Sequence, residues 1–257
     1  MDKIMLGILC EYSQVAYYTN SESIISIPAI ITTALGTVAL PRLTSLNAKG
    51  KKEISEHYLE ISLQFAMFLA CGMAFGLGAV SDIFVQLYFG SGYESCAVLM
   101  VAFFPCVIFQ AWASIIRMQY LLPNSHDRIY VLSVVVGAVI NLFMNIMLIP
   151  SLQAVGAVIG TIVAEFMVAT IQTAFCLKYL PIKKYLKTTG YYVVIGFFMF
   201  LIIDLMKRHM DYGVLTLITC IFLGGGLYAI ISMLVNWRTK SSLYSCISQM
   251  LRQKNNC

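Results

Sequence analysis

The sequence predicts an all-α fold, a polytopic transmembrane helix bundle with seven full spans plus a partial N-terminal helix, and three observations carry that expectation. Of 257 residues 60% are hydrophobic and 11% charged, with mean hydropathy +0.82, against about 25% charged residues in a soluble domain. The apolar residues fall in runs of about 20, the length a helix needs to cross a ~30 Å hydrocarbon core. The basic residues lie in short segments between those runs. So few charged side chains cannot keep the runs from water, which excludes a soluble enzyme of this size. The net charge of +5 is spread between spans rather than gathered on one face, so no nucleic-acid partner is expected.

Each element follows in order. The first apolar piece, residues 4–18, is interrupted by Glu11 and too short to span, so it reads as the second half of a helix whose first half is missing, followed by an external turn over 13–22. Full spans are expected over 23–43, 59–80, 95–122, 129–149, 152–177, 191–206 and 214–237. In the first, Ser26, Thr33 and Thr37 form a polar line beside Pro28, of a kind that often bonds only to its own backbone. Gly72-x3-Gly76 and Gly156-x3-Gly160 are close-packing motifs. In the third span Pro105 removes a backbone donor and predicts a kink, and Gln110, Ser114 and Arg117 share one face at i, i+4, i+7. The turn from Pro150 to Gln153 is short enough to make its two flanking helices antiparallel. Asn141 then lies ~13 Å below that turn, level with the stretch between Thr161 and Glu165. Beyond Leu243, Cys246, Ile247, Met250 and Leu251 at helical spacing beside Arg252 and Lys254 form either an amphipathic helix on the inner leaflet or a short frayed helix.

Orientation follows from alternate loops. Fourteen of the 17 Lys and Arg residues, from Arg42 to Lys52, at Arg117 and Arg128, from Lys178 to Lys187 and from Arg238 to Lys254, fall on one side. Basic residues collect on the cytoplasmic side, so the C-terminus is expected there, with Cys246 and Cys257, and Cys96 near the outer face. The eight cysteines show no C-x-x-C spacing and read as small hydrophobes, and the three histidines are too dispersed for a metal site. Residues 1–10 have too short an apolar core for a signal peptide, and no cofactor is expected.

The residues that carry chemistry are polar groups inside apolar spans, each costing at least ~2.5 kcal/mol at the bilayer centre if ionised. Glu165 sits ~18 Å into its span and must face a partner or a water-filled cavity. Two readings are open: a neutral carboxyl hydrogen-bonded to an asparagine, or the carrier of a coupling proton. Gly137, Asn141 and Asn145 share one face, as do Thr161, Glu165 and Gln172, either to glue two helices together or to line a path. Arg117 either snorkels at its span's end or offers its planar guanidinium to a phosphate in a cavity.

Several runs carry a family resemblance. Val15-Ala16-Tyr17-Tyr18, then residues 31–43 (ITTALGTVALPRL), then Asn141-x3-Asn145-x3-Ile149-Pro150 followed by Gly156-Ala157 and Ala164-Glu165, resemble the polysaccharide flippases of the multidrug/oligosaccharidyl-lipid/polysaccharide exporter superfamily. The resemblance covers about residues 2–180, and the last two spans match in hydropathy only. Ala16 and Gln153 stand where the family usually has glycine.

The resemblance implies a lipid-linked oligosaccharide flippase of the O-antigen or capsule type, not an enzyme, in the bacterial inner membrane. Residues 1–180 would be its C-terminal lobe, 181–237 two additional helices and 238–257 a cytoplasmic amphipathic tail. Its partners would be the lipid-linked oligosaccharide, membrane lipids, and a missing N-terminal lobe or second chain. Candidate substrate-binding residues are Arg117, Gln110, Ser114, Asn141 and Asn145, with Glu165 and Thr161 for coupling or structure. The rivals are a cation-coupled multidrug exporter of the same superfamily, an inactive or split fragment, and a membrane-embedded glycosyl polymerase. The last is disfavoured by short external loops without a carboxylate pair.

Overall fold

The computed structural model describes residues 1–246 and residue 248, and the elements among them are helical. The chain opens with α1 (Asp2–Leu9) and α2 (Tyr12–Ile25), separated by extended backbone at Cys10 and Glu11. That break overturns the expected single piece over 4–18 and the expected turn over 13–22. The chain turns earlier, and α1 doubles back along α2, with Gly7 beside Val15 and Lys3 Nζ 2.7 Å from Glu22 Oε2. The exposed Glu11 explains the site of the turn, since its carboxylate is best solvated where a helical pair ends.

Helix α3 (Ile27–Ala48) continues from α2 after a bend at Ser26, with Pro28 at its start, where a missing N–H is tolerated. Gly50, at φ 69°, returns the chain into the unbroken α4 (Lys52–Ala79). The short α5 (Ser81–Tyr88) and a glycine loop lead to α6 (Glu94–Ala102). A bend at Phe103, beside Pro105, separates α6 from α7 (Phe104–Ile116), which runs into a π-helical turn (Arg117–Leu121) and a 3₁₀ turn (Leu122–Asn124). The 44° bend between the two halves matches the kink expected from Pro105. These broken helices pair in parallel. Ser21 Oγ donates to the Cys96 carbonyl before the bends, and Thr33 and Ser114 hydroxyls meet at 3.3 Å after them.

The 50-residue α8 (Asp127–Cys176) is two helices joined at Gln153, the one residue inside it with non-helical angles, φ 52° and ψ −130°. Its arms run antiparallel. A Cβ on Gly156 would meet the Leu148 carbonyl, one on Gly160 would meet Asn145, and one on Gly137 would meet Val168, while Gln172 Nε2 donates to Ser133 Oγ at 2.9 Å. Helices α9 (Ile182–Lys207) and α10 (Val214–Arg238) pack on α4, where Gly72 makes room for the Tyr228 ring. Among the described residues five helices are long and apolar enough to cross a membrane, or up to six if the bent pair is one span.

The two ends differ in charge. At the basic end Glu60 of α4 is buried and accepts from Lys184 Nζ at 2.7 Å, Gln64 and Ser242, while the backbone N–H of Leu243 donates to Gln64 Oε1 at 3.0 Å. The tail thus begins by docking on α4. Of the expected amphipathic helix, Ile247, Met250, Leu251, Arg252 and Lys254 lie outside the described residues, as does Cys257. At the opposite end Lys207 Nζ joins Asp82 Oδ2 at 2.8 Å, Asp204 Oδ1 at 3.1 Å and the Ala79 carbonyl at 3.0 Å.

Candidate functional site

Three of the polar features converge on one cleft of ≈ 740 Å³ between α3, α7 and the second arm of α8. Helix α3 contributes Thr33 and Thr37 to it, and Ser26 lies at its upper edge. Ser26 and Thr37 bond to carbonyls of their own chain, at Ser23 and Thr33, as hydroxyls in apolar helices tend to. Thr33 instead reaches across to Ser114. Helix α7 contributes Gln110 and Ser114, one helical turn apart, and Arg117 follows at the mouth of the π turn. Glu165 enters from α8, and Gln110 Nε2 donates to its Oε1 at 3.0 Å.

Arg117 is half-buried, with its guanidinium carbon 5.3 Å from the centre of the Tyr130 ring. That stacking stabilises a cation by about 0.5–2 kcal/mol according to how far it is desolvated. Its Nε is buried and has no hydrogen-bond partner among the described residues. A buried donor left unpaired costs about 1–3 kcal/mol, so the guanidinium gains if it turns to meet an oxygen brought into the cleft. The π turn that starts here widens the backbone spiral and re-aims the side chains that follow.

Asn141, Asn145 and Thr161 do not join this cleft. They form a second cluster around Asp2, which the sequence reading missed. Asp2 Oδ1 accepts from Asn145 Nδ2 at 2.7 Å and Oδ2 from the Tyr18 hydroxyl at 2.7 Å, with Thr161 Oγ1 at 2.9 Å. Asn145 Nδ2 also lies 3.2 Å from Asn141 Oδ1. Glu165 therefore does not pair with an asparagine, as one of its two readings had it: Thr161 and Asn145 are occupied by Asp2, Asn141 accepts from Asn145, and the next turn of the arm faces α7. Asp2 was missed because a continuous first helix would carry it away from the bundle, whereas the turn at Cys10 brings it back about 12 Å below the turn. The sequence carries no signal for the reversal itself: Glu11 interrupts the apolar piece, but periodicity does not say that the chain turns back there.

Long apolar helices around a polar cleft define a membrane-embedded helical bundle. Residues 4–224 match the family model described as lipid II flippase MurJ, and the chain belongs to that family. The match extends past residue 180, where the motif resemblance ends, through α9 and into α10. The chain is 22% identical over 194 residues to a probable low-salt glycan biosynthesis flippase, Agl15, of Haloferax volcanii, covering 76% of this chain and 41% of that protein. It is 26% identical over 160 residues to the lipid II flippase MurJ of Bacillus subtilis, covering 61% and 28%. Its fold is similar to that of a solved lipid II flippase MurJ in an inward closed conformation, with TM-score 0.70 and 15% identity over 88% of this chain and 48% of the other. The chain spans less than half the length of each of these proteins.

Proposed function

We propose that this chain moves a lipid-linked oligosaccharide across a bacterial inner membrane, of the kind used for O-antigen or capsule synthesis, as one lobe of a two-lobe transporter. In this reading the arms of α8 are separate crossings, which with the bent α6–α7 pair gives seven. The basic end faces the cytoplasm, consistent with the partition of Lys and Arg. Residues 1–180 form the lobe proper, α9 and α10 add two helices, and residues 238–257 form a cytoplasmic tail. A second lobe or chain closes the cleft, and the two rock about it to give alternating access. The sugar and diphosphate pass through the polar cleft while the lipid tail stays in the bilayer, and no bond is made or broken.

One observation carries the reading: Arg117, a half-buried cation whose Nε has no hydrogen-bond partner among the described residues, lines a polar cleft inside an apolar bundle. A diphosphate entering a low-dielectric cavity needs such a group, and it belongs toward the side on which the substrate is made. The test is transport in a flippase-deficient strain with the complementary lobe supplied. Arg117→Ala is expected to abolish transport and Arg117→Lys to retain part of it. Full transport by Arg117→Ala at normal expression removes Arg117 from the site, and complementation by the 257-residue chain as a monomer removes the two-lobe arrangement.

A further inference from the structure

Arg117 lines the cleft, but its own turn does not fix where its guanidinium points. Its backbone opens the π turn (Arg117–Leu121), and the next residue is pressed against α3, where a Cβ on Gly36 would stand 3.0 Å from Met118 Cβ. The backbone is thus held, and what stays free is a long side chain whose rotamers would scatter the guanidinium over several directions. Tyr130 limits them. Its ring centre lies 5.3 Å from the guanidinium carbon, within reach of a cation over a π face, while Tyr130 is half-buried and not among the residues that line the cleft.

The ring is itself held from behind. The reversal between α7 and α8 is closed by backbone hydrogen bonds, from the Ser125 N–H to the Leu122 carbonyl at 3.1 Å and from the His126 N–H to the Leu121 carbonyl at 2.8 Å, which sets the first turn of α8 beside the π turn. In that turn the Tyr130 carbonyl accepts from Ser133 Oγ at 2.7 Å, and Ser133 Oγ accepts from Gln172 Nε2 at 2.9 Å. Ser133 and Gln172 are fully buried. The turn that carries the ring is therefore tied to the second arm of α8, the arm that brings Glu165 to the cleft.

A guanidinium stacks on a ring by its flat face and donates its N–H bonds in its own plane, so a ring and a phosphate oxygen use different parts of the group and do not compete. A turn within that plane meets an oxygen without breaking the stack. A side chain already stacked also has less freedom to lose when an anion arrives. We propose that Tyr130 is a positioning residue for the headgroup, its ring orienting the Arg117 fork toward a diphosphate in the cleft. The proposal rests on the reading of Arg117 as the group that meets the headgroup, and adds the residue that aims it. Arg117 is in no ion pair among the described residues, so no carboxylate there orients it in place of the ring.

The test is titration of the full purified chain in detergent with farnesyl diphosphate, read as a saturable rise in the thermal unfolding midpoint, with farnesol as the control that carries the tail without the phosphates. Tyr130→Leu, which removes the π face, is expected to weaken the apparent affinity about tenfold, and Tyr130→Phe, which keeps it, to stay within about twofold of the wild type. Arg117→Ala is expected to weaken binding more, and Tyr130→Leu added to it to change nothing further, because the ring then has no cation to hold. Should Tyr130→Leu not fold, Tyr130→Met takes its place. Wild-type affinity in Tyr130→Leu beside a weakened Arg117→Ala overturns this proposal alone, as does a loss in Tyr130→Leu that persists undiminished in the Arg117→Ala background or is matched by Tyr130→Phe. Wild-type affinity in Arg117→Ala, or a wild-type response to farnesol equal to that to farnesyl diphosphate, overturns the reading of Arg117 and the proposal with it.

Discussion

Gln110 Nε2 donates to Glu165 Oε1 across 3.0 Å, so the carboxyl in the second arm of α8 is held by α7 and not by the asparagines of its own hairpin. A glutamine at 165 keeps the shape and still presents a carbonyl to Gln110. Glu165→Gln is therefore expected to leave thermal stability unchanged and transport intact, while Gln110→Leu strands the carboxyl and lowers stability by about 1–3 kcal/mol. Chemical unfolding and a transport assay read the two effects. Loss of transport in a stable Glu165→Gln assigns the residue a coupling proton.

Gln153 carries φ 52° and ψ −130°, a region in which a side chain is strained by about 1–3 kcal/mol and glycine is not. Gln153→Gly is expected to stabilise the chain by about 1 kcal/mol after the entropy cost of glycine is set against that relief, and Gln153→Val to destabilise it. The unfolding midpoints of the three proteins should rank Gly above Gln above Val.

Gly156 lets the arms of α8 meet. A Cβ there would stand 2.5 Å from the Leu148 carbonyl oxygen, which is backbone and cannot swing aside. Gly156→Ala is expected to cost about 2 kcal/mol, within the range for overpacked cores. At Gly137 a Cβ would meet a Val168 methyl instead, so Gly137→Ala should cost less. Equal losses at the two sites would show that the hairpin yields as easily through backbone as through side chains.

Lys207, its side chain 9% exposed, holds Asp82 and Asp204 together while Tyr212 donates to Asp82 Oδ2 at 3.0 Å. Lys207→Met leaves Asp82 without a cation among the described residues while Asp204 keeps Arg208 at 2.8 Å, and should destabilise by about 2 kcal/mol, below the cost for a fully buried pair because both acids are partly solvated. Adding Asp82→Asn should recover part of the loss, and a double-mutant cycle measures how much.

Cys96 is fully buried, so it cannot report which side of the membrane its helix begins on. Ser91→Cys, in the exposed glycine loop, and Lys51→Cys, in the exposed α3–α4 link, serve instead. An impermeant thiol reagent added to intact cells should label position 91 and spare position 51. The reverse pattern inverts the orientation.

What the sequence made legible depended on unbroken helical geometry. Gln110, Ser114 and Arg117 fall on one face by periodicity alone, and depth arithmetic from the Pro150 turn puts Asn141 level with the stretch before Glu165. The contacts of Gly160 with Asn145 and of Gly137 with Val168 bracket that level. The count of helix residues does not reveal a turn hidden within an apolar stretch. Cys10 and Glu11 make one, and everything that depends on it, the return of Asp2 and the capture of Thr161 and Asn145, was out of reach. The joining of Thr33 to the cleft was unreadable for another reason: a hydroxyl's choice between its own backbone and a neighbouring helix is made by packing.

The bends at Ser26 and Phe103 fall between the same two cross-links, Ser21 to Cys96 above and Thr33 to Ser114 below, and the Tyr18 and Phe103 rings touch beside them at 5.6 Å. Two adjacent parallel helices are thus jointed at one level, next to α4, which runs 28 residues without a break. Such a pair has a single plane in which to flex, with α4 as its fixed stay. Thr33, Ser114 and Arg117 all lie below the joint, and Tyr18 lies above it with Asp2 bonded to its hydroxyl. If the pair flexes there, a push at either end of the bundle becomes rotation of the cleft's wall rather than small shifts along every helix.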